Sequence, residues 1–228
     1  MALALFDLDN TLLQGDSDYL WGEFLCHQGV VDKDHYEERN LQFYQQYKDG
    51  ALDIDAYLRF ALEPLTRLTL EKLLALRESF IAEIVKPIIA PGSTALLNSH
   101  RQQGDILVII TATNRFVTAP IASLLGVSHL LASEPEFEAG SFSGDYLHPP
   151  CFQAGKIDRL RSWMNQYRRN SKGATFYSDS HNDLPLLEWV DHPVATDPDD
   201  ILRNTAADRG WPIISLRSGS VDPIKKQN

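Results

Sequence analysis

Three short apolar runs, each closed by polar residues, dominate the pattern of hydrophobic and polar positions along the chain. They occupy residues 2–8, 105–111 and 174–179. Runs of this length and continuity are typical of strands that are buried on both faces of a parallel sheet. Weaker strand candidates of similar form lie at residues 129–133, 193–195 and 212–216. The pattern therefore predicts a mainly parallel sheet at the centre of the fold.

The segments between these runs have the apolar spacing of amphipathic helices. The helices predicted in this part of the chain are residues 93–103, 155–167 and 184–190. Alternating strands and helices indicate an α/β fold, namely a doubly wound, Rossmann-like sheet with helices on both faces. The polar ends of the main strands should meet at the carboxyl edge of that sheet, where open parallel sheets bind ligands.

Residues 16–86 break this alternation and are predicted to be helical throughout. One apolar stripe with helical spacing consists of Ile54, Tyr57, Leu58, Ala61 and Leu62. We expect a four-helix module inserted after the first strand, so that residues 1–15 and 87–228 form the α/β core. Five aromatic residues of the module are expected to pack its helices rather than contact a ligand: Trp21, Phe43, Tyr44, Tyr47 and Phe80.

Composition narrows the possible partners of the protein. The chain has 228 residues, of which 43% are hydrophobic, and a formal net charge of −10. This charge disfavours nucleic acid and anionic membrane surfaces as partners. There is no uncharged apolar stretch of membrane-spanning length and no basic region before Asp7, so we expect a cytoplasmic enzyme. Cys26 and Cys151 are too few to indicate a disulfide framework.

Groups able to transfer a phosphoryl group lie at the ends of the three main strands. Asp7 and Asp9 follow the first strand two residues apart, so their carboxylates should share one face. A carboxylate can attack phosphorus, and a second one can protonate the leaving oxygen. Thr111 offers a hydroxyl and Ala112 a main-chain amide to phosphate oxygens, while Lys156 offers an ammonium group.

Further acids and an amide follow the third main strand. Asp179, Asn182 and Asp183 lie within five residues of one another. Two carboxylates close to a phosphate would repel it unless a cation is present, and Mg²⁺ prefers carboxylate oxygen and water. We therefore expect Asp179 to be a ligand of Mg²⁺. Asp183 can cap the helix that Pro185 favours and can also hold a metal-bound water from outside the ligand sphere, and we expect it to do both.

The order of these segments resembles the haloacid dehalogenase superfamily, in its phosphatase branch with the phosphoserine phosphatases. The matching segments are Phe6–Thr11, Thr111–Thr113, Gly155–Lys156 and Ser178–Asp183. The resemblance implies that Asp7 is the nucleophile, forming an aspartyl phosphate, and that Asp9 is the proton donor. It also implies that Asp7, Asp179 and the Asp9 carbonyl bind Mg²⁺, that Asn182 and Asp183 support this site, and that Lys156 binds phosphate. The helical module would then be a cap over the site.

The substrate is expected to be a small phosphate monoester enclosed by the cap. Asp16 stands where the phosphoserine phosphatases carry the acid that faces the substrate amine, and Asp18 is a second acid nearby. No arginine falls on the position that would bind a substrate carboxylate; three candidates by location alone are Arg39, Arg59 and Arg67. The segments around Asp16 and Thr111 are also similar to histidinol-phosphatases of this branch. Histidinol phosphate is therefore the first expectation and phosphoserine the second.

Other functions remain open from the sequence. Asp16 and Asp18 could simply cap the helix that follows them. A phosphoryl transferase such as a phosphomutase would use the same aspartyl phosphate, and a non-catalytic binding module could keep the same fold. The oligomeric state has no signal in the sequence. The last ten residues are predicted to be a loose tail.

Overall fold

The computed structural model describes residues 2–218 and 222–223, and within them one sheet of eight strands forms the centre of the fold. The strand order is β4-β3-β2-β1-β5-β6-β7-β8. The strands are β1 (Leu3–Phe6), β2 (Ile106–Asn114), β3 (His129–Glu138), β4 (Ser141–Leu147), β5 (Thr175–Ser178), β6 (His192–Thr196), β7 (Ile213–Ser215) and β8 (Asp222–Pro223). Strands β3, β2, β1, β5, β6 and β7 are parallel, whereas β4 and β8 pair antiparallel at the two edges.

The helices in the described part of the chain are α1 (Ser17–His27), α2 (Lys33–Lys48), α3 (Ile54–Leu62), α4 (Leu70–Phe80), α5 (Ser93–Gln103), α6 (Arg115–Leu124), α7 (Ala154–Tyr167), α8 (Leu184–Trp189) and α9 (Asp200–Arg209). Helices α5 to α9 cover the two faces of this sheet, and α1 to α4 lie between β1 and β2 in the chain. None of the helices in residues 2–218 is long and apolar enough to cross a membrane. The predicted tail lies outside the described residues except for the backbone of β8.

Strand β1 shows why the sheet is covered on both sides. Its four residues are buried, and alternate side chains point to opposite faces. Ala4 and Phe6 join the apolar cluster beneath α5 and α6, whereas Leu3 and Leu5 join the cluster beneath α7, α8 and α9. A strand buried on both faces needs a continuous apolar run, which is the pattern in the sequence. The predicted doubly wound, mainly parallel α/β sheet is confirmed.

The four helices α1 to α4 lie between β1 and β2 in the chain. Each begins after a residue whose side chain accepts a hydrogen bond from the first helical turn: Asp16, Asp32, Asp53 and Thr69. Trp21 and Phe80 are fully buried, with ring centroids 5.1 Å apart, as expected of residues that pack helices. The division of the chain at residues 15 and 87 stays a prediction.

Strand β4 and helix α9 were not predicted, and no bounds were predicted for helix α6. Strand β3 continues beyond residue 133 to form a hairpin with β4, turning at Ala139 and Gly140, both with positive φ. This hairpin contacts α3 through an ion pair between Arg59 and Asp145 and a hydrogen bond from the Tyr146 hydroxyl to Asp55. Helix α9 was missed because it buries few apolar residues, chiefly Leu202 and Ala206.

Candidate active site

A sharp, non-helical turn, Leu8–Leu12, follows β1 and brings both early aspartates to one cavity. Asn10 adopts a positive φ of 56° within this turn, which reverses the chain immediately after Asp9. The Asp7 amide still donates to the carbonyl of Tyr177 on β5, at 2.9 Å, so Asp7 continues the sheet edge. Asp7 and Asp9 both line a cavity that is partly open to solvent and has about 60 Å³ of space accessible to water.

Two short hydrogen bonds hold the Asp9 carboxylate. Its Oδ1 accepts from the Ser17 amide at 2.6 Å, and its Oδ2 accepts from the Thr113 hydroxyl at 2.7 Å. Burial raises the pKa of Asp9 to about 6, and the charge of Asp16 also raises it. A carboxyl group with such a pKa can carry a proton near neutral pH, which suits the predicted proton donor.

Lys156 makes the central ion pair of the site. It lies in the first turn of α7, where Gly155 passes so close to the Pro150 carbonyl that a Cβ would lie 2.1 Å from its oxygen. The Lys156 side chain is only 3% exposed, with Nζ 2.8 Å from Asp7 Oδ1 and 2.7 Å from the Asp183 carboxylate. One lysine thus bridges the candidate nucleophile and an acid of the last motif.

The expectation that Asp183 caps a helix is wrong. Asp183 precedes α8, but its side chain makes no capping hydrogen bond to that helix. Its Oδ2 accepts from Lys156 Nζ and from the Ser178 hydroxyl, both at 2.7 Å. A charged lysine in a buried site attracts the carboxylate more strongly than the uncharged amides of a helix end can. Asp183 therefore faces the site, as its other expected role required.

The charge of the buried site fits a bound cation. Asp7, Asp179 and Asp183 face one another with Lys156 as the neighbouring cation, so negative charge is in excess. Burial and the charge of Asp7 raise the pKa of Asp179 well above its usual range, although the Thr11 hydroxyl donates to its Oδ1 at 2.8 Å. Burial likewise raises the pKa of Asp7 to about 7. Asp7 and Asp179 therefore have too little positive charge near them to keep both carboxylates ionised.

The donor set suits Mg²⁺ rather than an ion that needs a full protein cage. Within residues 2–218, no group of three or more His, Cys, Asp or Glu side chains is arranged as a metal site. Mg²⁺ commonly takes one or two carboxylates and keeps several waters. The predicted set of Asp7, Asp179 and the Asp9 carbonyl contains two carboxylates, so it meets this requirement.

The predicted phosphate-binding residues line the same cavity. Thr111, Ala112 and Lys156 all contribute to its wall. Thr111 is 1% exposed, and its Oγ accepts from the Thr113 amide at 3.2 Å. The neighbouring Asn114 caps α6 by accepting from the Val117 amide at 3.2 Å, so the start of that helix also faces this edge of the sheet.

Asp16 and Asp18 both line the cavity but have different partners. Asp16 caps α1, since its Oδ1 accepts from the amides of Asp18 and Tyr19, each at 3.0 Å. Asp18 does not cap the helix. It is 7% exposed and accepts from the Tyr57 hydroxyl at 2.8 Å and from the Asn114 side chain at 3.3 Å. Burial raises the pKa of Asp16 to about 6 and that of Asp18 to about 7.

Six aromatic side chains form much of the rest of the cavity wall, and its described residues include no cation besides Lys156. Arg59 pairs with Asp145, Arg67 pairs with Glu63, and Arg39 lies over the Phe43 ring. None of these candidate carboxylate ligands contributes to the wall. The aromatic lining consists of Tyr19, Phe43, Tyr44, Tyr47, Tyr57 and Phe152.

For part of this aromatic lining the sequence predicted a different role. Phe43, Tyr44 and Tyr47 were expected to pack helices, yet each also contributes to the cavity wall. Thr113, which holds Asp9, and Tyr57, which holds Asp18, were not predicted to touch these acids. The sequence spacing of Thr111 and Thr113 is a usable signal, because alternate residues of a strand point to the same side.

The fold and the site together define a class of α/β enzymes that carry a candidate acidic nucleophile at the end of the first strand. A model of the haloacid dehalogenase-like hydrolases matches residues 4–188. The chain is 41% identical over 219 residues to a histidinol-phosphatase of Neisseria meningitidis serogroup C (strain 8013), covering 94% of this chain and 99% of the relative. It is 33% identical over 224 residues to a phosphoserine phosphatase of Mycobacterium tuberculosis, covering 95% and 71% respectively.

Solved structures agree with this relationship. A protein of unknown function from Bordetella pertussis Tohama I superposes with a TM-score of 0.89 at 38% identity, covering 94% of this chain and 98% of that one. A phospho-aspartyl intermediate analogue of a phosphoserine phosphatase superposes with a TM-score of 0.69 at 17% identity, covering 96% and 94%. The second likeness shows the fold alone. The chain belongs to the haloacid dehalogenase-like hydrolase family, and the prediction of a phosphatase of this family is confirmed.

Proposed function

We propose that this protein is a Mg²⁺-dependent phosphatase of a small, amine-bearing phosphate monoester, and that the substrate is histidinol phosphate. The observation that carries the substrate is the charge of the cavity wall. Lys156 is already paired with Asp7 and Asp183, whereas Asp16 and Asp18 line the wall with no ion pair to any described lysine or arginine. Such a wall favours an ammonium group and disfavours a substrate carboxylate.

The aromatic lining supports the same choice. Tyr19 and Tyr44 have ring centroids 5.2 Å apart, and Phe43 and Tyr57 have centroids 5.4 Å apart. Histidinol carries an imidazole ring and an ammonium group but no carboxylate. The aromatic side chains can contact the ring, and the acids of the wall can pair with the ammonium group. The histidinol-phosphatase of Neisseria meningitidis is a relative along nearly its whole length.

The proposed chemistry begins with Asp7 and Asp9. An Asp7 oxygen forms a bond to phosphorus as the bond from phosphorus to the ester oxygen breaks, giving an aspartyl phosphate. Asp9 transfers its proton to that oxygen, and the alcohol leaves. Asp9 then takes a proton from a water molecule whose oxygen attacks phosphorus, so the Asp7 bond breaks and inorganic phosphate is released.

Other residues hold the phosphoryl group during both steps. Lys156, the Thr111 hydroxyl and the Ala112 amide are the proposed donors to its oxygens. Mg²⁺ would be held by Asp7, Asp179 and the Asp9 carbonyl, with Asn182 and Asp183 outside the ligand sphere. When bound, the ion neutralises charge on the transferring group. The cytoplasmic location expected from the sequence stays a prediction.

A substrate panel tests this proposal. Phosphate release is measured with Mg²⁺ for histidinol phosphate, phosphoserine and 3-(imidazol-4-yl)propyl phosphate, which is histidinol phosphate without its amine. We expect kcat/KM for histidinol phosphate to exceed both others by at least about tenfold, because the analogue loses one charge-assisted hydrogen bond and phosphoserine brings a carboxylate close to acids of the wall. A preference for phosphoserine would overturn the substrate and leave the phosphatase in place.

Phosphoserine is the second candidate, because a phosphoserine phosphatase of Mycobacterium tuberculosis is 33% identical to this chain. The absence of a second cation among the described residues lining the cavity argues against it. The same panel addresses a phosphomutase. Release of inorganic phosphate without any added acceptor would contradict a phosphoryl transferase.

A further inference from the structure

The carboxyl end of α2 rests directly on the loop that carries the last catalytic motif. Asn182 Nδ2 donates to the main-chain carbonyl of Tyr47 at 3.0 Å. The other end of the same amide, Asn182 Oδ1, accepts from Gln153 Nε2 at 3.1 Å. Asn182 is only 3% exposed. One side chain of the motif is thus fixed from two directions, by the segment before α7 and by a helix of the inserted module.

A second contact lies three residues further along. Gly50 has a φ of +68°, and a Cβ at this position would lie 3.0 Å from His181 Nε2. The His181 ring cannot easily withdraw, because Nδ1 lies 2.8 Å from Asp199 Oδ2 and the His181 amide donates to the same oxygen at 2.8 Å. Gly50 is therefore a close-approach position as well as a left-handed one.

The Tyr47 side chain reaches the catalytic cavity from the same turn. It lines the wall together with Asp7 and Lys156, and its ring centroid lies 6.2 Å from that of Phe152. A tyrosine hydroxyl keeps its proton at neutral pH, so the Tyr47 phenol can donate a hydrogen bond into this cavity.

We propose that Tyr47 is the residue through which α2 completes the phosphoryl-transfer site. Its main-chain carbonyl fixes Asn182, and its hydroxyl supplies a hydrogen-bond donor to the phosphoryl group bound at Asp7. A phosphate dianion beside Asp7, Asp179 and Asp183 needs donors, and the core provides few beyond Lys156 and Thr111. This inference rests on the phosphatase activity proposed above but not on the identity of the substrate.

The hydroxyl is tested by Tyr47→Phe, with Tyr36→Phe as the matched control. Tyr36 is a buried tyrosine of the same helix whose ring stacks on Phe60, away from the cavity. Both variants are assayed on whichever ester the wild type hydrolyses fastest. We expect Tyr47→Phe to lower kcat about tenfold or more, with a smaller change in KM, and Tyr36→Phe to keep kcat. Equal kcat values in the two variants would overturn the role of the hydroxyl.

The docking contact is tested by Gly50→Ala, with Gly29→Ala as the matched control. Both glycines have a φ of +68°, but nothing lies within 4 Å of a Cβ at Gly29. Both substitutions therefore strain the backbone in the same way, but only Gly50→Ala places a Cβ against His181 and displaces α2 from it. Hydrogen exchange is followed by mass spectrometry for peptides covering residues 44–51 and 178–184. Faster exchange in both peptides, with kcat/KM lowered about tenfold, is expected for Gly50→Ala only.

The results for Gly50→Ala and Gly29→Ala distinguish a failure of the docking contact from a failure of the proposed function. If Gly50→Ala matches Gly29→Ala in exchange and in kcat/KM, the contact does not dock the helix and the inference is wrong. If the wild type hydrolyses no phosphate ester, the proposed function fails. Exchange in residues 44–51 and 178–184 still decides whether the two segments are coupled, because that readout needs no turnover.

Discussion

Removal of Lys156 should destabilise the fold as well as abolish activity. Its Nζ lies 2.8 Å from Asp7 and 2.7 Å from Asp183, and its side chain is 3% exposed. Lys156→Met keeps the length and apolar stem but leaves two buried carboxylates without their cation. Breaking a buried ion pair in this way typically costs about 3–5 kcal/mol. For a domain of this size, that corresponds to a fall in Tm of roughly 10 °C or more.

The loss should depend on pH in a defined direction. Burial already raises the pKa of Asp7 to about 7 beside the lysine, and removal of the lysine raises it further. An acid whose pKa rises on folding destabilises the folded state as pH climbs from its unfolded value through its folded value. At pH 5.5 Asp7 takes up a proton at low cost, whereas at pH 8 either protonating it or burying it ionised costs more free energy. The destabilisation should therefore be larger at pH 8.

Thermal unfolding in chelator at the two pH values measures this effect. Lys172→Met is the matched control, since Lys172 is exposed and its substitution should change stability by no more than about 0.5 kcal/mol. The double variant Lys156→Met/Asp7→Asn should recover part of the loss, because one unpaired carboxylate is removed. A Lys156→Met protein with the wild-type Tm at pH 8 would refute the reasoning.

The remaining predictions concern turnover. Asp7→Asn should lower kcat by several orders of magnitude while the protein stays folded, and near-wild-type turnover would exclude Asp7 as nucleophile. Asp9→Asn should lose less activity on aryl phosphates than on alkyl phosphates, because a good leaving group needs little protonation; equal losses would contradict the proton-donor role. Chelation should abolish turnover, with Mg²⁺ restoring it and Ca²⁺ doing so poorly; full activity without metal would refute the cation site. Asp16→Asn keeps an acceptor for the cap of α1, so it should lower kcat/KM about ten- to a hundredfold for an amine-bearing ester only; the same loss on 4-nitrophenyl phosphate would make Asp16 structural.

The strands that are buried on both faces of the sheet could be predicted from the sequence alone. Strand β1 and its neighbours β2 and β5 have apolar runs because both faces of each are covered, and their polar ends mark the site. The acids at residues 7, 9 and 179 could be placed together for the same reason, whereas Lys156, on helix α7, could be placed with them only through the family resemblance. Strand topology alone fixes where the ends of parallel strands meet.

Features that depend on contacts between distant segments could not be predicted. Asp183 precedes a helix and has the local pattern of a cap, yet a lysine 27 residues earlier in the chain attracts its carboxylate. Hairpin β3–β4 has mixed polarity because one of its sides meets α3 and the other meets solvent. Tyr47 has the spacing of a packing residue, and only the position of α2 against residues 180–183 shows that it reaches the cavity.

The central position of β1 has a consequence for how the chain acquires its structure during synthesis. Leu3 pairs with Ile106 on one side, and Ala4 pairs with Thr175 on the other. In a nascent chain both edges of this apolar strand therefore stay unpaired until β2 has emerged, about halfway along the chain, and one edge stays unpaired until β5 has emerged. Lys156 and Asp7 are 149 residues apart, so the charge of Asp7 is neutralised by the lysine only late in synthesis. Folding dominated by such distant pairings is slow, and truncated products should aggregate rather than form a partial core.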